Sequence, residues 1–405
     1  MAKIRPKSKK SKKSQKSILN TVAPAPRKRM PLRSWSDYLK DATELQHTGQ
    51  PTDALKPAQT ALSLLEALSP PRPLPALTVI AEIYIELGDI DAARSHFLRA
   101  IELDPDGAVP ESEGGGAEKF LWLAQLCEEG GEESVRWFER GVGVLRRDIG
   151  ALEGSAGKEY VGETATLLEE KRRKLASALC GIIEVYMTDL ALSPSAESNC
   201  ESLITDALLS APHSPEPLQT LASVRISQLR LADARAALSR SLELWQHLPP
   251  DAPDVPDFPT RVSLARLLLE TEMEDAAIDV LERLVGEDDG SVEVWYLGGW
   301  GLYLMGRKKK EAAGVTAAAG EGGDWRVLWI ASREWLRNSL KLYEVLEWED
   351  ERLKDHALEL VEGLDAELGG AGEENEEEEE GVADGIDGED DEWEDEDGDL
   401  EMEGT

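Results

Sequence analysis

Residues Leu74 to Gly107 read LPALTVIAEIYIELGDIDAARSHFLRAIELDPDG, and this stretch decides the fold. Apolar residues return at helical spacing on both sides of Gly88: Ile80, Ala81 and Tyr84 before it, Ala93, Phe97 and Ala100 after it. Gly88 predicts a turn, and Pro105 ends the second helix because it has no N–H with which to continue it. Small Ala81 and Ala93 let two antiparallel helices approach closely, while Tyr84 and Phe97 fill the space between neighbouring hairpins.

These positions resemble a tetratricopeptide repeat along its full 34 residues. Degenerate copies flank it. Tyr38, Ala42, Gly49, Ala54 and Ala58 hold the same register before it, and Phe120, Ala124, Cys127, Ser134 and Phe138 hold it after. Further copies centre on Ile182 and Ile204, on Ala222 and Leu238, and on Ala265 and Leu281. The last runs from Trp295, Gly299 and Gly306 to Ala331 and Trp335. Seven helical hairpins are therefore expected between Trp35 and Leu346, an all-α superhelical solenoid. Three interruptions are expected: a linker over Arg146–Gly162, a helix-free spacer over Pro249–Pro259, and a basic, Gly/Ala-rich insertion over Arg307–Gly323. Beyond them, Leu353, Ala357, Leu360, Leu364 and Leu368 form one apolar stripe, a closing helix that covers the end of the array.

Charge divides the 405 residues differently. There are 44 Lys and Arg against 81 Asp and Glu, a formal net charge of −37. The first 33 residues hold 12 basic and no acidic side chains, and the last 33 hold 20 acidic and no basic ones. Neither end has enough apolar surface to offset the entropy of ordering, so a disordered basic leader (1–33) and a disordered acidic tail (369–405) are expected to flank the solenoid (34–368). The acidic bulk disfavours nucleic acid and anionic membranes and favours a basic partner. No apolar run reaches 18 residues, and the basic N-terminus lacks the apolar core of a secretory signal. Three cysteines without a Cys-x-x-Cys spacing point to a reducing compartment and to apolar packing positions.

Catalytic chemistry is not signalled. His47, His96, His213, His247 and His356 fall singly in different repeats, with no metal-ligand spacing. The run Gly154-Ser155-Ala156-Gly157-Lys158 lacks the first glycine of a phosphate loop and places Glu159 where Ser or Thr would bind magnesium. No enzyme activity, cofactor or metal is expected. A binding groove is expected instead, because the first helix of each such repeat faces a concave surface. Its candidate client-binding residues are Glu82, Glu86, Glu128, Glu129, Glu184, Tyr296, Trp300 and Tyr303, acidic at first and aromatic in the last repeat. That composition suits a basic segment with apolar anchors, although glutamate is also a common helix former on solvated faces. Co-chaperones that grip the acidic end of a heat-shock protein resemble one another in carrying Lys and Asn at two fixed repeat positions. Here Thr78 and Glu82, Leu121 and Gln125, and Gln219 and Ser223 occupy them, so that grip is absent.

In the leader, Lys9, Lys10, Lys12 and Lys13 and then Arg27, Lys28 and Arg29 have the composition of a nuclear import signal. The acidic tail reads either as a solubilising brush or as a screen for a client's positive charge. Taken with the VWYLGGWGLYLMG segment around Trp295 and the WEDERL helix, the whole chain resembles the fungal assembly chaperones of large-subunit ribosomal protein four. The resemblance implies a chaperone, monomeric when free, that captures this newly made basic protein and shields its long basic internal loop in the groove. It further implies that import machinery carries the complex from cytoplasm to nucleus for incorporation into the pre-60S particle. The alternative is an acidic tetratricopeptide histone chaperone, although those it resembles carry the acidic run inside a repeat.

Overall fold

The computed structural model describes residues 33–155, 162–250, 252–315 and 324–369. The basic clusters at Lys9–Lys13 and Arg27–Arg29 and the acidic tail beyond residue 369 lie outside the described residues. Fifteen α-helices and no strand occur among those described: α1 (Trp35–His47), α2 (Pro51–Glu66), α3 (Leu74–Glu86), α4 (Ile90–Leu103), α5 (Glu118–Gln125), α6 (Gly131–Ser155), α7 (Glu163–Met187), α8 (Ala196–Ser210), α9 (Pro215–Ser227), α10 (Leu231–Glu243), α11 (Phe258–Glu270), α12 (Glu274–Glu287), α13 (Val292–Val315), α14 (Asp324–Val345) and α15 (Glu351–Leu368). They are the seven expected hairpins and the closing helix. The chain forms two compact units, Met1–Arg147 and Asp148–Thr405, whose boundary falls within α6.

In the first unit, local signals set the helix ends. Ser34 caps α1 by accepting from the Asp37 N–H, and Asp37 answers by accepting from the Ser34 N–H. Pro51 sits in the first turn of α2, where a missing N–H costs nothing. Gly49 and Gly88 make the hairpin turns at φ +71° and +74°, a region where a side chain is strained. Ala42, Ala54 and Ala58 are fully buried against Ile80 and Ile83, so α1, α2 and α3 pack through small residues. Phe97 is fully buried as well. The connection from α4 to α5 is fastened by a buried ion pair, with Lys119 Nζ 2.7 Å from Asp104 Oδ2 and the other Asp104 oxygen accepting from the Ala108 and Val109 N–H groups.

In the second unit an extended core runs from α9 to α13, built on Leu238, Trp245, Leu264, Leu268, Leu281 and Leu284. Helices α13 and α14 pack through glycines. An ideal Cβ on Gly298 would lie 2.1 Å from the Trp335 ring, on Gly299 2.6 Å from Leu336, and on Gly306 2.3 Å from Trp329. Ser332 and Ser339 on α14 donate to the Gly299 and Val292 carbonyls of α13, at 2.7 and 2.8 Å. Leu353, Ala357, Leu360 and Leu364 of α15 are buried, the stripe expected of a closing helix.

Two of the expected interruptions are helical for most of their length. Helix α6 continues through the supposed linker to Ser155 because Leu145 and Ile149, both buried, prolong its apolar stripe despite Gly150 and Gly154. Helix α13 likewise runs through Arg307–Glu311 to Val315, since Arg, Lys, Glu and Ala all favour helix. Only 316–323 of that insertion lies outside the described residues. The described residues of the Pro249–Pro259 spacer are helix-free as far as Asp257, and Phe258 and Pro259 already form the first turn of α11, where a proline is tolerated.

Candidate functional site

Six of the eight candidate residues lie on the first helices of their hairpins, and each unit presents its own set. In the first unit Glu82 and Glu86 lie one turn apart on α3, Glu82 half-buried and Glu86 exposed. Glu86 accepts from Gln46 Nε2 of α1 at 3.0 Å, tying the first helices of two successive hairpins. Helix α5 ends at Gln125, so Glu128 and Glu129 stand in the turn before α6 rather than on a helix face. Glu128 is exposed and paired to Arg94 at 2.5 Å. The Glu129 carboxyl is raised above the usual range by a hydrogen bond shared with Glu133 and by that neighbour's charge.

In the second unit Glu184 reaches solvent from α7, but the surrounding protein displaces enough water to raise its carboxyl pKa. Glu216, in the first turn of α9, is raised too, by burial first and then by the charges of Glu184 and Asp257, although Ser177 donates to it at 2.9 Å. Neither glutamate has an ion-pair partner among the described residues. Glu216 lines a cleft of about 330 Å³ with Ser177, His213, Val255 and Asp257. Beneath the two glutamates the Cys180 thiol is buried, its pKa pushed up by burial and by both carboxylates. Glu216 was missed by sequence reasoning because an acidic residue in a first turn reads as a dipole partner; only the fold brings it to Glu184.

The aromatic candidates are committed to packing within the chain. Tyr296, Trp300 and Tyr303 are half-buried against the core that α13, α14 and α15 share. The Tyr296 hydroxyl lies 2.6 Å from His356 Nδ1 on the closing helix, and the Trp300 ring meets the His356 ring edge-on at 5.9 Å. Tyr303 stacks on Trp329 at 5.8 Å. No group of His, Cys, Asp and Glu able to hold a metal ion occurs among the described residues. Cys180 and Cys200 are buried, and Cys127 is half-buried.

Residues 74–106 match the tetratricopeptide repeat family. Over 99% of its length the chain is 49% identical to an Emericella nidulans protein named "Probable assembly chaperone of rpl4", 99% of which is covered. A Schizosaccharomyces pombe protein of the same name is 34% identical over 71% of this chain and 80% of its own length. A solved structure, "Assembly Chaperone of RpL4 (Acl4) (Residues 1-338)", is 51% identical, superposes with a TM-score of 0.63, and covers 69% of this chain and 100% of its own.

Proposed function

Because the chain belongs to the family of assembly chaperones of rpl4, we propose that it binds newly made rpl4, shields its positive charge, and escorts it to the nucleus for assembly into the 60S subunit. Its role is binding without a catalytic step. The physical observation that carries this reading is the acidic surface of α7 and α9, where Glu184, exposed, and Glu216, half-buried in the cleft lining, both have raised carboxyl pKa values and no cation of their own among the described residues. A carboxylate pair held partly out of water is an unfavourable arrangement that a lysine or arginine from a partner relieves. The exposed Glu86 and Glu129 of the first unit extend the same preference, and Glu128, already paired with Arg94, adds negative charge beside Glu129. Full-length similarity to proteins named for rpl4 favours this client over histones. Import through the leader clusters at Lys9–Lys13 and Arg27–Arg29, and a monomeric free state, complete the proposal.

Replacing both carboxylates, Glu184→Gln with Glu216→Gln, tests the mechanism cleanly. The change removes a like-charge repulsion, so folded stability is kept or raised, while affinity for purified rpl4 falls by about tenfold. Unchanged affinity in a folded double variant overturns the acidic-surface mechanism. Core histones that compete equally with rpl4 overturn the choice of client.

A further inference from the structure

Basic residues run four in succession twice in the second unit, at Lys171–Lys174 on α7 and again toward the C-terminal end of α13. Arg307, Lys308, Lys309 and Lys310 follow one another there. Two of them are firmly held: Lys308 Nζ is 2.7 Å from Glu274, and Lys310 Nζ lies over the Trp325 and Trp329 rings at 4.9 and 4.6 Å. The other two are loose. Arg307 and Lys309 reach Glu311 and Asp324 only at 3.9 Å, and all four of these side chains are half or more exposed. On α14 Arg326 is exposed, its guanidinium 5.2 Å from the centre of the same Trp325 ring that Lys310 covers, with no carboxylate partner among the described residues. Water-exposed pairs of this geometry contribute almost nothing, so these three cations are available to a better anion.

The chain itself brings that anion. Lys310 also pairs with Glu367, in the last turn of α15, at 2.8 Å. The helix therefore ends, at Leu368, against the basic cluster. Four residues past Gly369 begins Glu373–Glu380, in which seven of eight residues are glutamate. Four residues span at most about 13 Å, so the first glutamates start within reach of the cluster. A tether this short holds the glutamates at an effective concentration on the order of millimolar, far above that of any competing anion of the same kind in dilute solution.

We infer that the proximal acidic run Glu373–Glu380 docks on Arg307, Lys309 and Arg326 of its own chain, a contact between the tail and the end of the helical array. The tail is thus shared between two basic surfaces: this one and any basic partner that the protein binds. The docking does not depend on the identity of that partner, and its failure would leave the proposed function untouched.

The full chain is compared with a full-length variant in which each of the seven glutamates of Glu373–Glu380 is changed to Gln. Acetylation by an amine-reactive ester is followed at Lys309 by peptide mass spectrometry, with the exposed Lys56 of α2 as internal reference. At about 20 mM salt Lys309 is expected to react about threefold or more slowly in the natural chain than in the variant, at every protein concentration. The difference is expected to vanish near 0.5 M salt, where the Debye length is about 4 Å. Equal rates at low salt overturn the docking. Protection that grows with protein concentration also overturns it, because it would place one molecule's tail on another.

Discussion

Gly298→Ala adds a single methyl group where α13 meets α14, and the structure sets its consequence. The new Cβ would lie 2.1 Å from two atoms of the Trp335 ring. Restoring van der Waals distance moves the ring by about 1.5 Å. The ring cannot shift freely, because it also packs edge-on against Trp295 with centroids 4.8 Å apart and the neighbouring Leu336 is fully buried. Overpacking of this kind costs about 1–3 kcal/mol, and a disturbed aromatic pair adds about 1 kcal/mol. Alanine's better helix propensity returns about 1 kcal/mol. The net loss is about 2 kcal/mol, which for a unit of this size lowers Tm by roughly 4–8 °C. Gly150→Ala supplies the control within the same unit: it is helical, and nothing lies within 4 Å of its Cβ position. There only propensity acts, and Tm is expected to rise by about 2–4 °C. Thermal unfolding followed by circular dichroism measures both. A Gly298→Ala protein as stable as the natural one, or changes of the same sign at the two sites, would refute the close-packed α13–α14 interface.

Two further predictions concern charges. Glu201 accepts from both Arg225 guanidinium nitrogens and from Gln228, which lowers its carboxyl pKa to about 2, below the ordinary 4.5. A depressed carboxylate contributes stability that is present above pH 4.5 and is lost as pH falls toward 2, so the natural chain's advantage over Glu201→Gln should shrink through that window. With Glu201 39% exposed the full-pH advantage is about 1 kcal/mol, and urea titrations at pH 7, 4 and 2.5 read it; a gap that widens in acid sinks the idea. Lys119→Met leaves the Asp104 carboxylate buried without its cation and is expected to cost about 3–5 kcal/mol. Adding Asp104→Asn should restore at least half of that loss in urea unfolding, whereas additive losses would mean the pair is not coupled.

Hairpin count, register and the closing helix were legible in the sequence because they rest on local spacing: Gly88 between two apolar stripes, or Leu353 to Leu364 on one face. The extensions of α6 and α13 were not. Gly150 and Gly154 look like linker residues until Leu145 and Ile149 are seen to share a buried face. The candidate groove was less legible than the fold. Register gives each residue's place on a helix, but not what crosses above it. Tyr296 and Trp300 meet His356 from sixty and fifty-six positions away, and the charge of Glu184 acts on Glu216 only once α7 and α9 are adjacent. The Asp104–Lys119 pair escaped for the same reason: in sequence it is two ordinary charges flanking a glycine-rich loop.

The three cysteines described above also decide how the protein can be watched at work. With Cys180 and Cys200 buried, and the Cys180 thiol held far from ionisation, a maleimide dye at neutral pH is directed to Cys127. That thiol is the immediate chain neighbour of Glu128, on the acidic turn of the first unit. The natural sequence therefore carries its own labelling handle, and the arrival and departure of a basic partner can be timed by fluorescence without altering a single residue.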